Sequence, residues 1–228
     1  MEYVEIARAE TERGELVLRE RRTEHGPAVL ELRANGVFVM DTVETSTERE
    51  LATRALALHH DPREVLVGGL GLGFTLAAVL ADERVARCTV VEIEPALVDW
   101  LRDGIVPHGP ELLADDRVRV LVDDIARALA QAPPSAYDVV LLDVDNGPGY
   151  LVHDANAGLY AAPALTQARR ATRPGGAVVV WSAARAPELE ATMREVFGRW
   201  EVEELSCPVD LQGRAETYWL YAGHVSGV

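Results

Sequence analysis

The stretch "VLVGGLGLGFTLAAVLAD", residues 65–82, decides how this chain folds. Its apolar start, VLVGG (65–69), reads as a buried strand, and FTLAAVLAD (74–82) reads as a helix. Between them stand Gly68, Gly69, Gly71 and Gly73. A continuous apolar run, a glycine turn and a helix together form half of a strand–helix–strand unit. The same alternation repeats downstream. CTVVEIE (88–94), RVRVLV (117–122), YDVVLLD (137–143) and AVVVWSA (177–183) read as strands. Helices are expected over 95–104, 124–132, 158–173 and 186–199, the third closed by Arg173-Pro174-Gly175-Gly176. Strands that alternate with helices predict a parallel sheet covered on both faces. The last two strands, 202–207 and 216–223, are joined by a loop too short for a crossover helix, so they pair antiparallel.

Upstream of the quoted stretch the pattern changes. Leu16-Val17-Leu18, residues 28–32 and Val37-Phe38-Val39-Met40 are short strand-like runs, and Asn35-Gly36 separates the last two. Asn-Gly between apolar runs is a strong hairpin signal, because both turn positions take positive φ. From Thr47 onward Leu51, Ala55 and Leu58 share one helical face. The expected organisation is an N-terminal β-hairpin region at 1–55 and an α/β nucleoside-binding catalytic domain at 56–228.

Composition narrows the partners. Of 228 residues, 48% are hydrophobic and 26% charged, as in ordinary globular proteins. Lys+Arg 22 against Asp+Glu 37 gives a net charge of −15, which repels nucleic-acid phosphates and anionic lipid and attracts cations such as amines. No apolar run reaches the length of a membrane span, and the acidic start has no hydrophobic signal core, so a cytoplasmic location is expected. Cys88 and Cys207 are far apart with no partner motif; buried free thiols and no metal site are expected.

The candidate site residues gather where parallel strands end. Gly68, Gly69, Gly71 and Gly73 are expected to let a ligand approach the backbone. Glu92 follows about 20 residues later, the spacing at which an acid meets ribose hydroxyls. Asp123 and Asp124 end the third parallel strand; one suits an adenine amino group and the other suits capping the next helix. Asp143 ends the fourth, where it either orients a nucleophile or begins the turn "DVDNGPGY" (143–150). A core or interface position is expected for Trp100, Trp181, Trp200 and Trp219; of these Trp181, which ends the fifth strand at the same edge, is the one placed to touch a ligand.

Taken together these motifs resemble the spermidine synthase family, the aminopropyltransferases built on the class I S-adenosylmethionine-dependent methyltransferase fold. "GGLGLG" is similar to the family's glycine loop, "VVEIEP" to its ribose-binding segment, "LVDDIA" to its adenine-contacting segment and "YDVVLLD" to its catalytic strand. The resemblance implies a Rossmann-like, seven-stranded, mostly parallel sheet with an antiparallel last strand. It implies S-adenosylmethionine or its decarboxylated form as co-substrate, a small amine acceptor, Asp143 as the catalytic carboxylate and a homodimer paired through the N-terminal region. Asp145, Asn146 and Tyr150 would shape the acceptor pocket, under a lid running from Asn146 to Gly158. The family's acid inside the glycine loop is Gly71 here, its donor-contacting Gln falls on Val39, and its amine-contacting Tyr falls on Glu48, which either binds a cation or faces solvent. Three functions stay open: amine alkylation by a spermidine synthase-like transferase, methyl transfer from S-adenosylmethionine to a small molecule, and a catalytically silent adenosyl-binding scaffold.

Overall fold

A computed structural model describes residues 2–22, 26–144, 147–148, 151, 154–211 and 214–227. Two sheets organise it. The first is a four-stranded antiparallel meander, β1 (Glu2–Thr11), β2 (Gly14–Arg22), β3 (Val29–Ala34) and β4 (Val37–Asp41). Asn35 and Gly36 turn β3 into β4 with φ of 51° and 75°, the positive pair that a tight hairpin requires. The Asn35 side chain also accepts from Glu15 N at 2.9 Å and donates to Arg13 O at 3.2 Å, which ties the β1–β2 turn to the β3–β4 turn.

The second sheet contains β5 (Glu64–Gly68), β6 (Arg87–Glu92), β7 (Val118–Val122), β8 (Tyr137–Leu142), β9 (Thr172–Ser182), β10 (Val202–Leu211) and β11 (Arg214–His224). Their order is β10-β11-β9-β8-β5-β6-β7, and β11 runs antiparallel to both neighbours while the other pairs are parallel. The chain runs outward from β5 to β7 and then returns to start β8 on the other side of β5. That reversal lies between β5 and β8, the position at which open α/β sheets bind ligands.

Side chains alternate across the central strands. Val65, Val67, Val139 and Leu141 enter one core with α1 (Ser46–Ala57), α2 (Phe74–Leu80), α3 (Pro95–Arg102) and the meander residues Leu16, Leu18 and Leu32. Leu66, Val140 and Leu142 enter the other, with α5 (Ile125–Gln131), α6 (Ala162–Ala171) and α7 (Pro187–Phe197). The short α4 (Gly109–Leu113) lies between α3 and β7. Helix α1 spans the boundary expected at residue 55 and packs against α2, β8 and β9.

Some expectations need correction. Strand β1 was not among those read from the sequence; its exposed, charge-rich pattern suits an edge strand and hides its period-two signal. The single helix expected at 158–173 is a 3₁₀ turn, Asp154–Tyr160, followed by α6, which restarts with Pro163 in its first turn. Strand β9 already pairs at Thr172, and a bulge carries Arg173-Pro174-Gly175-Gly176 before pairing resumes at Ala177. Trp200 is 86% exposed, so of the core or interface position expected for it the core is excluded. Both free cysteines are buried, and burial pushes the Cys88 thiol up to about 12. No described helix is long and apolar enough to cross a membrane.

Candidate active site

The carboxyl ends of β8, β5, β6 and β7 lie side by side, so Asp143, the glycine loop, Glu92 and Asp123 follow one another along a single sheet edge. The loop is held tightly there. Asp143 N donates to Gly68 O at 2.8 Å, and Gly69 N donates to Val91 O at 2.9 Å. Gly69 has φ of 95°, and a Cβ on it would stand 2.0 Å from Asp143 O, so only glycine fits without displacing backbone. Gly71 differs, because a Cβ there would meet only the sulfur of Met40 closely, at 2.7 Å. Met40, on β4, also accepts from Leu72 N at 3.3 Å. The space beside the loop position that carries an acid in the family is therefore taken by a thioether.

A cavity of about 310 Å³ lies along this edge, within the size range of small-molecule sites. Gly69, Gly71, Glu92, Asp123, Asp124 and Asp143 line its floor. Leu16, Leu32, Ala34 and Val39 of the meander form its other wall. Arg13 closes one side, 3.3 Å from Glu94 and donating to Asn156 Oδ1 at 3.2 Å. Sequence reasoning missed this wall and Arg13, because the meander's placement over the sheet edge is a tertiary fact with no local signal.

All four glycines were expected to let a ligand approach the backbone, but they do not share one position relative to the cavity. Gly68 and Gly73 are not among the residues lining the cavity. A Cβ on Gly68 would point into the core, 2.7 Å from Cγ1 of Ile125 on α5. Gly73, with φ of 88°, is the N-cap of α2 and accepts from Ala77 N at 2.9 Å. A Cβ on Gly73 would stand 2.7 Å from Cδ2 of Leu112 on α4 and 3.2 Å from Cδ2 of Leu101 on α3. These two glycines thus serve close packing of the helices that flank the loop. Only Gly69 and Gly71 of the four border the space a ligand would fill.

Each acid in the cavity has its own environment. Glu92 is buried; its two carboxylate oxygens accept from Leu70 N and Glu94 N, each at 2.8 Å. Burial pushes its carboxyl above the usual range, and those N–H groups pull against the shift. Glu92 thus fastens the glycine loop to β6 and retains acceptor capacity toward the cavity. Asp124 caps α5 by accepting from Ala126 N at 2.7 Å. Asp123 pairs with Arg127, which holds its carboxyl below the usual range.

Asp143 borders a second, smaller cavity as well. That space, about 60 Å³, is lined by Glu48, Thr75, Asp143, Phe74, Trp181 and Leu70, with Val39, Met40 and Gly71 shared or adjoining. Asp143 Oδ2 accepts from the Thr75 hydroxyl at 2.6 Å, and burial pushes the carboxyl up to about 6 against that bond. It lines both cavities. Glu48 is in the first turn of α1 and is half-buried rather than turned to solvent. Burial, and next the Asp143 carboxylate, push it up to about 7. Trp181 stacks on Tyr218 with ring centroids 5.4 Å apart, and its buried Nε1–H has no hydrogen-bond partner among the described residues. Asp145, Asn146 and Tyr150, expected to shape the acceptor pocket, lie outside the described residues, as does much of the expected lid. Among the described residues, no group of three or more His, Cys, Asp or Glu is arranged to hold a metal ion.

Comparison with known proteins identifies the family and the fold. Residues 44–196 match the family model described as the spermine/spermidine synthase domain. Polyamine aminopropyltransferase 2 of Pseudomonas aeruginosa is 34% identical over 154 residues, covering 65% of this chain and 42% of that protein. Putrescine N-methyltransferase 3 of Nicotiana tabacum is 30% identical over 120 residues, covering 52% of this chain and 29% of that protein. The chain thus spans less than half the length of either relative. The solved spermidine synthase of Thermotoga maritima superposes with a TM-score of 0.76 at 15% identity, covering 96% of this chain and 72% of that one, and shares the fold.

Proposed function

The chain belongs to the spermine/spermidine synthase family, and on that premise we propose that it alkylates a small amine from an adenosyl-sulfonium donor. The observation that carries this reading is that Asp143 walls both cavities, a larger one suited to a nucleoside and a smaller acidic one. The residues present fit such a donor. Glu92 offers acceptor lone pairs for ribose hydroxyls, and Asp123 and Asp124 offer them for an adenine amino group. Gly69 and Gly71 let the backbone approach, while Gly68 and Gly73 hold the loop between its flanking helices. The donor supplies an electrophilic carbon already bonded to a good leaving group. What remains for the protein is alignment of the nucleophile. Asp143 is held by Thr75 at 2.6 Å and would orient an acceptor ammonium from the smaller cavity. Glu48, half-buried in that cavity, would add a second negative charge to it. Asp145, Asn146 and Tyr150 would complete the acceptor side.

A second reading, methyl transfer from S-adenosylmethionine, is favoured by one feature. Gly71 has no side chain to repel a donor carboxylate, and Met40 fills the space beside it. Calorimetry with S-adenosylmethionine, its decarboxylated form and 5′-methylthioadenosine tests both. Preference for the decarboxylated donor supports aminopropyl transfer; equal or tighter binding of S-adenosylmethionine supports methyl transfer. No binding of any of the three refutes the donor site and leaves a silent scaffold. We further propose a homodimer joined through the meander, which exposes Ile6 and Val37. Light scattering that gives 24.8 kDa in dilute buffer, rather than about twice that, would refute it. A location in the cytoplasm is part of the same proposal.

A further inference from the structure

The two carboxylates of the smaller cavity are not equivalent. Asp143 borders both cavities, and its Oδ2 is engaged by the Thr75 hydroxyl. Glu48 borders the smaller cavity only, and its Oε2 accepts from the Thr47 hydroxyl at 2.9 Å. Neither forms an ion pair among the described residues; Arg49, next to Glu48, lies over the Phe74 ring at 5.7 Å instead. Two carboxyl groups without a paired cation, walled by Trp181 and Phe74, are complementary to an ammonium group.

We propose that Glu48 is the base of the transfer: it takes the proton from the acceptor ammonium, while Asp143 holds the nitrogen in line with the donor carbon. This rests on the amine-alkylation reading above. In the step, the ammonium gives one proton to the Glu48 carboxylate. The nitrogen lone pair so freed forms the new C–N bond as the C–S bond breaks. The electron pair of that bond stays on sulfur, turning the sulfonium into a neutral thioether. The product is a secondary ammonium, and Glu48 passes its proton to solvent, so one proton is released per turnover.

Position separates the two roles. Asp143 stands between donor and acceptor, where a group must hold geometry. Glu48 lines the smaller cavity and not the larger one that would hold the donor. The charged and titratable groups facing Glu48 are Asp143 from β8, Glu44 from the segment before α1 and Tyr218 from β11. Both acids disfavour ionisation of Glu48, and with burial they bring it to about 7. A carboxyl of ordinary acidity is about six units too weak to deprotonate an alkylammonium well. Bringing it close to neutral narrows that gap, and a base of this strength suits catalysis near pH 7.

The test is proton linkage, read by calorimetry of butane-1,4-diamine binding at pH 7 in two buffers of different ionisation heat, with 5′-methylthioadenosine present. Wild type should release about half a proton per site, because a Glu48 near 7 is half protonated and must ionise to meet the ammonium. Glu48→Gln should release a tenth or less, with 5′-methylthioadenosine bound as tightly as before, since Glu48 does not line the larger cavity. Equal proton release by the two proteins overturns the proposal. So does binding of the nucleoside without binding of the amine. Proton release on amine binding with no nucleoside affinity keeps the Glu48 assignment and defeats the donor reading instead. In turnover, Glu48→Gln should lower kcat by a hundredfold or more and move the acid limb of the pH profile from near 7 to below 6. A rise in KM alone, with the limb unmoved, would make Glu48 a binding group and overturn its role as base.

Discussion

Replacing Gly69 by alanine should damage both the fold and the donor cavity, and its cost can be worked from the loop geometry. At φ of 95° the residue lies outside the conformations open to side chains; holding alanine there costs about 1–3 kcal/mol. The added Cβ would begin 2.0 Å from Asp143 O and 3.0 Å from Asp143 C, both backbone atoms that cannot rotate away. Relief needs a displacement of more than about 1 Å, which strains the 2.8 Å bond from Asp143 N to Gly68 O and the 2.9 Å bond from Gly69 N to Val91 O. Each such bond contributes about 1 kcal/mol net. The expected total is about 3–5 kcal/mol, a large share of the 5–15 kcal/mol that holds a typical domain. Urea unfolding followed by circular dichroism measures the loss, and calorimetry with 5′-methylthioadenosine measures the cavity. Gly71→Ala is the control. Its φ of 49° is accessible to alanine at modest cost and its only close neighbour is the flexible end of Met40, so about 1 kcal/mol is expected. If Gly69→Ala proves no worse than Gly71→Ala, the close approach of the loop to β8 does not demand glycine, and the reasoning fails.

The ligand-free protein should become more stable as pH falls from 8 to 5.5. Glu48 and Asp143, at about 7 and about 6 in the folded chain, bind protons more readily folded than unfolded, so their contribution is complete only below the unfolded values and is lost as pH rises through 6 and 7. After allowance for partial exposure this amounts to about 2 kcal/mol; a melting temperature that is flat over the window, or a slope unaltered in Glu48→Gln, contradicts it. Gly71→Asp should shift the ratio of affinities toward decarboxylated S-adenosylmethionine by about tenfold, since a carboxylate beside the donor tail repels a donor carboxylate by more than 1 kcal/mol even at high effective dielectric; an unchanged ratio of dissociation constants would count against the tail lying beside Met40. Glu92→Gln replaces one acceptor oxygen by a donor facing Leu70 N or Glu94 N, so it should cost about 1–3 kcal/mol in unfolding and weaken 5′-methylthioadenosine more than tenfold; retained affinity would remove Glu92 from the nucleoside site.

Local patterns carried much of the architecture. Apolar runs ending in Gly68, Glu92, Asp123 and Asp143 announced parallel strands and the edge they share, and Asn35-Gly36 announced its hairpin with the positive φ values observed. What stayed hidden is what depends on distant contacts. Glu48 stands three, four and seven residues before Leu51, Ala52 and Ala55, so the phase of α1 puts it on the buried face, but phase does not tell which residues it meets there. It is drawn into the site because α1 packs its first turn against Asp143 and Thr75, residues far away in sequence. Met40 over the glycine loop and Arg13 beside Glu94 are hidden for the same reason. The glycine loop announced a close approach but not what approaches: at Gly69 it is the backbone of Asp143, at Gly73 the side chains of Leu101 and Leu112. Asp124 shows the limit of reading by spacing: as a helix cap and as a ligand acceptor it would stand in the same place.

The meander has a bearing on how this chain can be cut or recombined. Leu16, Leu32, Ala34 and Val39 are at once part of the small sheet and part of the wall that a nucleoside would touch, while Leu16, Leu18 and Leu32 share one apolar core with α1 and β5. The first fifty residues are therefore not a detachable module. A fragment beginning at α1 would open the larger cavity to water along the side that Leu16, Leu32, Ala34 and Val39 now close. Exchanging the meander for that of another family member would re-specify the donor pocket while leaving every acidic residue of its floor in place.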